Sequence, residues 1–128
     1  MNLLEQAKKA RENAYAPYSS FQVGAALLAK SGRIYLGANV ESSAYSPTLC
    51  AERAAFAAAV SAGEREFSAI AIVGAKRGEE PNEDCPPCGV CRQFMREFCA
   101  DDFTIRLAKH TYTLAELLPV SFGKENLG

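Results

Sequence analysis

Two short cysteine-containing stretches, far apart in the chain, constrain the fold more than any other feature of the sequence. The first is Leu49-Cys50-Ala51-Glu52-Arg53, and the second is Pro87-Cys88-Gly89-Val90-Cys91. Each stands at the start of a segment with helical periodicity, and a proline just ahead of the second one is typical of a helix start. If the two stretches act together, the fold must bring the N-termini of two helices face to face.

Length and charge exclude several classes of protein. The chain has 128 residues, which fits a single domain covering 1–128 without repeats or linkers. A formal net charge of −1 provides no basic surface for nucleic acid or for an acidic membrane. No apolar run is long enough to cross a bilayer, and the N-terminal residues have helical charge spacing rather than a signal peptide's apolar core. A soluble cytoplasmic protein is therefore expected.

Hydrophobic periodicity predicts an α/β fold in which helices cover a mixed sheet. Gly24, inside the first apolar strand, indicates that another backbone or a ligand comes close there. A strand–helix–strand order from residue 67 to 108 implies a right-handed parallel crossover. We predict helices at 2–15, 50–62 and 88–99, and a brief one that Thr113 or a neighbour caps and that runs through Leu118. Strands are predicted at 21–29, from Ile34, at 67–73, 103–108 and 112–113.

The spacing of three thiols suits a zinc ion. Cys88 and Cys91 are three residues apart and share one face of a first helical turn, while Cys50 opens the other helix. Free amides and the helix dipole lower the pKa of a thiol at such a position. Three protein ligands leave the fourth position of zinc open for water, which is typical of catalytic rather than structural sites.

Two charged residues accompany the first thiol. Glu52 lies two residues after Cys50, so it need not bind the metal and can exchange protons with a reacting molecule. Three thiolates on Zn²⁺ leave a net negative charge, which weakens the metal as a Lewis acid. Arg53, at i+3 from Cys50, is placed to offset that charge, and Arg92 is a weaker candidate for the same role.

The residues alone leave other interpretations open. Cys85 could join the three thiols in a closed four-thiolate site that is purely structural. Cys88 and Cys91 could instead form a thioredoxin-type dithiol. Cys99 is expected to be a small buried apolar residue, and His110 a surface residue near a turn.

With Arg92-Gln93 after the second stretch, the chain resembles the small homotetrameric cytidine deaminases. The similarity extends over nearly the whole chain, so it is far more specific than a single C-x-x-C pair. The other matching segments are Ala16-Pro17-Tyr18-Ser19 and Phe21-Gln22-Val23-Gly24-Ala25-Ala26 beneath the base, Asn39-Val40-Glu41 at the ribose, and Leu117-Leu118-Pro119 with Phe122 at the C-terminal end.

The resemblance implies a three-layer α/β/α sandwich around a five-stranded mixed sheet. It also implies hydrolytic deamination of cytidine and 2′-deoxycytidine to uridine and 2′-deoxyuridine, with release of ammonia, in pyrimidine salvage. One Zn²⁺ per subunit would be held by Cys50, Cys88 and Cys91, with Glu52 as the proton shuttle. Asn39 and Glu41 would bind the ribose hydroxyl, Phe21 would pack on the base, and Tyr45 and Phe122 would act in a neighbouring subunit of a homotetramer.

Two departures from the family pattern stand out. Ser42 and Ser43 replace an expected Asn and Ala, and the segment from Lys109 to Tyr112 is short, which predicts a trimmed last hairpin.

Three competing functions are considered beside deamination of cytidine. They are a related deaminase of modified cytosine nucleosides of the blasticidin type, a binding or structural module stabilised by zinc, and a dithiol redox protein. Polynucleotide editing is disfavoured because it needs a basic, aromatic-lined groove.

Overall fold

A five-stranded mixed sheet forms the centre of the fold in the computed structural model, which describes residues 2–128. Met1, which the single-domain prediction also covers, lies outside the described residues. The strand order is β2-β1-β3-β4-β5, and only the β3–β4 pair is parallel. The strands are β1 (Phe21–Ala29), β2 (Ile34–Ala38), β3 (Phe67–Lys76), β4 (Thr104–Arg106) and β5 (Thr111–Thr113).

Four α-helices and a final 3₁₀ turn complete the described part of the chain. The parallel β3–β4 pair flanks one of these helices in sequence, as the predicted strand–helix–strand unit requires. No helix among residues 2–128 has the length and apolar character that crossing a membrane would require. The helices are α1 (Leu3–Arg11), α2 (Ala51–Ser61), α3 (Gly89–Phe98) and α4 (Leu114–Leu117), and the 3₁₀ turn is Lys124–Leu127.

Apolar side chains of the central strands point alternately to the two faces of the sheet, and this divides the core into two layers. Leu27 of β1 and Ile72 of β3 are buried on one face of the sheet, where they pack with α2 and α3. Ala26 and Val73, one position away on the same strands, are buried on the other face together with Ala7 of α1. Because successive strand side chains point to opposite faces, this pattern confirms the predicted three-layer α/β/α sandwich.

Glycines in β1 and β2 let the helices approach the sheet. A Cβ on Gly24 would lie 2.1 Å from the carbonyl oxygen of Ala7 in α1, so the predicted close approach of another backbone is confirmed. A Cβ on Gly37 would lie 2.3 Å from the carbonyl oxygen of Ala51 in α2. The absence of side chains at these positions sets how closely α1 and α2 pack.

Several predicted boundaries were wrong: long-range contacts explain two of the differences, and a local turn explains the third. The first helix ends at Arg11, not near residue 15, because the Tyr15 backbone pairs with a distant segment, donating to the Asn39 carbonyl and accepting from the Glu41 N–H, both at 2.9 Å. β3 continues to Lys76, three residues past its predicted end, because β1 pairs with it along that length. β4 is shorter than predicted because a tight turn leads directly into β5.

Candidate active site

Two helix N-termini bring three thiols together. Cys50 is the N-cap of α2, Cys88 is the N-cap of α3, and Cys91 lies buried in the first turn of α3. The sulfur of Cys88 lies 3.9 Å from that of Cys50 and 3.6 Å from that of Cys91, and all three sulfurs lie within 4.8 Å of one another. The predicted meeting of the two distant stretches is therefore what the fold produces.

The three sulfurs match the dimensions of a zinc site. Tetrahedral zinc binds thiolates at about 2.3 Å, which places any two of its sulfur ligands about 3.8 Å apart. The separations of 3.6 and 3.9 Å are close to that value. Among residues 2–128, no fourth Cys, His, Asp or Glu joins this group, so a bound zinc would keep one position open.

Cys85, the alternative fourth ligand, occupies a different place. Its sulfur lies against Gly74, where a Cβ would approach it to 2.7 Å, and beside the ring of Phe21. Burial raises the pKa of the Cys85 thiol to about 11. All five cysteines are free, including the Cys88–Cys91 pair that a dithiol redox protein would use. The geometry thus favours neither the four-thiolate site nor a disulfide.

The pKa values of two of the thiols are shifted in opposite directions. A hydrogen bond from Cys91 lowers the pKa of Cys50 to about 5, with Arg53 lowering it further against the opposing effect of burial. The same hydrogen bond and burial raise the pKa of Cys91. These three thiols are suited to bind a divalent cation, because one of them is already stabilised as a thiolate and the others lie within hydrogen-bonding distance of it. Binding of the cation would then release their protons.

Arg53 lies where the sequence predicted a charge-balancing group. Its Nη2 donates to the sulfur of Cys50 and to the carbonyl oxygen of Thr48, both at 3.4 Å. The contact with the sulfur raises the pKa of the guanidinium. Its Nε is buried without a hydrogen-bond partner among the described residues. Arg53 therefore places a fixed positive charge beside the thiol cluster.

Glu52 is turned inward beside the thiols. Its side chain is 4% exposed, and burial, together with the charge of Cys50, raises its pKa from 4.5 to about 7. A carboxyl group with a pKa near neutrality can both accept and donate a proton at physiological pH. This is the environment that the predicted proton shuttle requires.

A cavity of about 410 Å³ is lined by two of the predicted substrate residues, Glu41 and Tyr45. Glu41 accepts hydrogen bonds from the backbone N–H groups of Tyr18 and Ser19 at 3.0 and 3.1 Å, and also from the Ser19 hydroxyl. The Ser19 hydroxyl contributes most to lowering the pKa of Glu41, which is therefore a fixed, ionised acceptor. The cavity is lined by Tyr18, Ser19, Glu41, Tyr45 and Thr48.

The other predicted substrate residues have different surroundings. Asn39 is buried, and its amide accepts from Val23 N–H and donates to the Phe21 carbonyl, both at 2.9 Å. Phe21 is partly exposed at the start of β1. Tyr45 is 75% exposed and lines the cavity of its own chain, whereas Phe122, 58% exposed, does not line it.

Three cavity residues, Tyr18, Ser19 and Thr48, were not among the site residues predicted from the sequence. Ser19 fixes Glu41, and Thr48 links the cavity to Arg53 through its backbone carbonyl. Tyr18 and Ser19 belong to the Ala16-Pro17-Tyr18-Ser19 segment whose resemblance placed it beneath the base, but the contact of Ser19 with Glu41 was not predicted. Nothing near Thr48 marked it, because its role depends on contacts made across the fold.

Comparison with known proteins places this geometry in a family. Residues 1–107 match the family model of the cytidine and deoxycytidylate deaminase zinc-binding region. The cytidine deaminase of Sporosarcina psychrophila is 50% identical, over 98% of this chain and 92% of the relative. That of Halalkalibacterium halodurans is 45% identical, over 98% of this chain and 95% of the relative.

Solved structures agree with the sequence relatives. The crystal structure of cytidine deaminase from Burkholderia pseudomallei has a TM-score of 0.84 and 42% identity, covering 94% of this chain and 96% of that one. The cytidine deaminase from Mycobacterium tuberculosis has a TM-score of 0.83 and 38% identity, covering 94% of both chains. Fold and sequence thus point to the same group of proteins.

Proposed function

Because this chain belongs to the cytidine deaminase family, we propose that its thiol cluster, its buried carboxylate and its cavity divide the work of one reaction. The chain is a zinc-dependent enzyme that hydrolyses cytidine to uridine and ammonia. The observation that carries this conclusion is the meeting of three thiols at two helix N-termini, with Glu52 buried beside them. 2′-Deoxycytidine is the second substrate, since it presents the same reacting base.

We propose that Cys50, Cys88 and Cys91 hold one zinc ion per chain. When bound, zinc supplies a water molecule whose pKa is lowered toward neutrality. The dipoles of α2 and α3 stabilise the thiolates, and Arg53 offsets the negative charge that three thiolates bring. These contributions keep the site electrophilic enough for hydrolysis.

Glu52 moves the protons of the reaction. It accepts a proton from the attacking water and donates it to N3 of the cytosine ring, while the water oxygen bonds to C4 and makes that carbon tetrahedral. It then transfers the remaining proton of that oxygen to the C4 amino group, which departs as ammonia and leaves the C4 carbonyl of uridine. The pKa near 7 supports this role because neither direction of transfer is strongly uphill.

The substrate is held by Glu41, which lines the cavity, and by Asn39 and Phe21, which lie outside its lining. The Glu41 carboxylate accepts a hydrogen bond from the ribose hydroxyl, and its contacts with the 18–19 backbone fix it before substrate arrives. Asn39 has one amide hydrogen left after bonding Phe21, and it donates that hydrogen to the same hydroxyl. The ring of Phe21 packs against the base.

The pocket is completed in a homotetramer. The exposure of Phe122, away from the cavity of its own chain, supports a role in a neighbouring subunit's pocket. Tyr45 lies at its own cavity, so its contribution to a partner's pocket stays a prediction.

Five free thiols suit a reducing compartment, and we place the enzyme in the cytoplasm, in pyrimidine salvage.

Replacement of Glu52 tests the proton-shuttle assignment. Glu52→Gln should lower kcat by about 10²–10⁴-fold, the usual contribution of a general acid–base group, with little change in KM. The loss of cytidine absorbance measures the rate, and metal analysis should still find zinc. Glu66→Gln, at an exposed carboxylate before β3, is the matched control and should keep full activity.

Zinc removal tests the metal assignment. Chelation should abolish deamination, and added zinc should restore it, because the nucleophile depends on the metal. Full turnover by Glu52→Gln would refute the proton-shuttle role, and activity that survives complete zinc removal would refute the zinc mechanism.

A further inference from the structure

The loop that carries Cys88 is fastened at a point four residues ahead of it. Asp84 accepts the backbone N–H groups of Lys109 and His110 at 2.6 and 3.3 Å, and it also contacts Nδ1 of His110. We call this set of contacts the Asp84 clamp. It joins the loop between β3 and α3 to the turn between β4 and β5. His110, expected from the sequence to be a surface residue near a turn, thus has a partner.

The chain between the clamp and Cys88 is stiff. Pro86 and Pro87 each have a fixed φ, which leaves this short segment few ways to move. Downstream of them, Arg92 Nε donates to the Pro87 carbonyl at 2.7 Å, and its Nη1 donates to the Leu117 carbonyl at 2.8 Å. The segment before Cys88 is therefore held at both ends.

Cys88 needs this support more than the other two thiols do. It is exposed, whereas Cys91 is buried and Cys50 is half-buried. Its side chain makes no capping bond within α3, so its contacts are the neighbouring sulfurs. The position of its sulfur depends on the backbone that leads to it.

We propose that Asp84 is a positioning residue for the zinc ligand Cys88, acting through the Pro86–Pro87 segment. The proposal rests on the zinc site of the proposed function. Without the clamp, the loop gains conformational freedom, so the exposed thiol is the first ligand to dissociate and zinc leaves faster. Groups that orient metal ligands commonly change metal affinity about 10–100-fold when removed.

A neighbouring contact provides a matched control. Lys109 Nζ bonds both carboxylate oxygens of Glu83 at 3.0 Å, but both side chains are well exposed. Exposed ion pairs of this kind contribute little to stability. Glu83→Ala therefore changes the same loop and the same turn while leaving the backbone bonds of Asp84 intact.

The experiment measures zinc transfer from the purified holoenzyme to a chromogenic chelator. Asp84→Ala should speed zinc release about 10-fold or more, and Asp84→Asn less, because its amide oxygen can still accept the backbone N–H groups. Glu83→Ala should stay within about twofold of wild type. With excess zinc, Asp84→Ala should recover kcat at unchanged KM, as expected of a residue that acts on the metal.

A merely structural role for Asp84 makes a different prediction. Tyr35→Phe removes a hydrogen bond to Glu64 at 2.9 Å, away from the clamp, and so lowers stability without touching the loop. It should not speed zinc release, even where its Tm falls as much as that of Asp84→Ala. Equal acceleration in Tyr35→Phe, or none in Asp84→Ala, overturns the proposal.

The remaining outcomes are also decisive. If Asp84→Ala does not fold, Asp84→Asn and His110→Ala replace it, and wild-type zinc release by both would overturn the proposal. Wild-type protein that holds no zinc would instead refute the proposed function. The two failures are therefore distinguishable.

Discussion

Glu52 has its unusual pKa because its carboxyl group is buried next to a thiol that ionises readily. Burial is the larger cause, and the charge of Cys50 adds to it. A carboxyl group whose pKa is higher in the folded protein than in the unfolded chain stabilises the fold most below the unfolded value. That contribution is lost as the pH rises through the folded value.

Zinc-free protein should show this loss between about pH 4.5 and pH 7. Over that range, the unfolding free energy of the wild type should fall by about 3 kcal/mol relative to that of Glu52→Gln, which cannot ionise. Urea unfolding of both chelated proteins at several pH values measures the difference. Both proteins keep Cys50, whose lowered pKa acts in the opposite sense, so the comparison removes the part of its effect that does not depend on Glu52. A difference that does not vary with pH would contradict the assignment.

Val120 presents a second prediction for a single residue. It has a φ of +48°, is fully exposed, and has a β-branched side chain that disfavours this conformation. Such strain costs roughly 1–3 kcal/mol, so Val120→Gly should raise the free energy of unfolding by about 1 kcal/mol after the entropy cost of glycine. Val40→Gly, at an exposed valine with ordinary φ, should lower it instead. A loss of stability in Val120→Gly would show that the conformation is not strained.

The helices are placed by close contacts with glycines, and Gly37 tests this at the level of elements. A Cβ at Gly37 would lie 2.3 Å from the Ala51 carbonyl and 2.5 Å from the Ala55 nitrogen, both in the backbone of α2. Gly37→Ala should therefore push α2 outward and lower the free energy of unfolding by about 1–3 kcal/mol or more. Since α2 carries Cys50 and Glu52, deamination should fall as well.

Gly89→Ala is the control for that substitution. A Cβ at Gly89, in the first turn of α3, would meet no atom within 4 Å, and its φ is not in the left-handed region. Urea unfolding should find it neutral or slightly more stable than wild type, because alanine favours helices. Equal destabilisation by both substitutions would argue against the packing explanation.

The sequence was informative about elements wherever local signals and burial agreed. The bounds of β1 match the prediction, and Thr113 caps α4 through a capping box with Glu116, as expected for that helix start. The ends of α1 and β3 did not follow, because contacts from distant segments set them, and β4 is cut short by the turn into β5. Local patterns contain no information on where backbone pairing with a distant segment will end a helix or lengthen a strand.

The candidate site likewise has parts that the sequence predicted and parts that only the structure shows. The thiols and Glu52 could be grouped from the sequence because each lies at a helix start, whose chemistry is local. The support of Glu41 by Ser19 and the clamp at Asp84 were missed, since both join segments more than twenty residues apart. The amide bonds of Asn39 to β1 were likewise visible only in three dimensions.

At the scale of the whole molecule, the C-terminal segment is fastened to the helix that carries two of the thiols. Gln93 of α3 donates to the Phe122 carbonyl at 2.9 Å, and Arg96 donates to the Ser121 hydroxyl at 2.8 Å and pairs with Glu125. The backbone of Phe122 is thus fixed while its ring stays largely exposed. An exposed aromatic ring on a fixed backbone, outside the cavity of its own chain, supports the proposal that Phe122 contacts the pocket of another subunit.

Hybrid oligomers can decide whether Phe122 acts across subunits. Glu52→Gln subunits keep a normal C-terminal segment, and Phe122→Ala subunits keep a normal proton shuttle, so each variant alone should be nearly inactive. If pockets are shared, random mixing gives about one quarter of the pockets both an intact Glu52 and an intact Phe122 from a neighbour. Co-expression with two different affinity tags and tandem purification would yield the hybrids. Their cytidine deamination should then clearly exceed that of either parent. Hybrids no more active than the average of the two parents would mean that Phe122 acts in its own chain or in no pocket, and the shared-pocket proposal would be wrong.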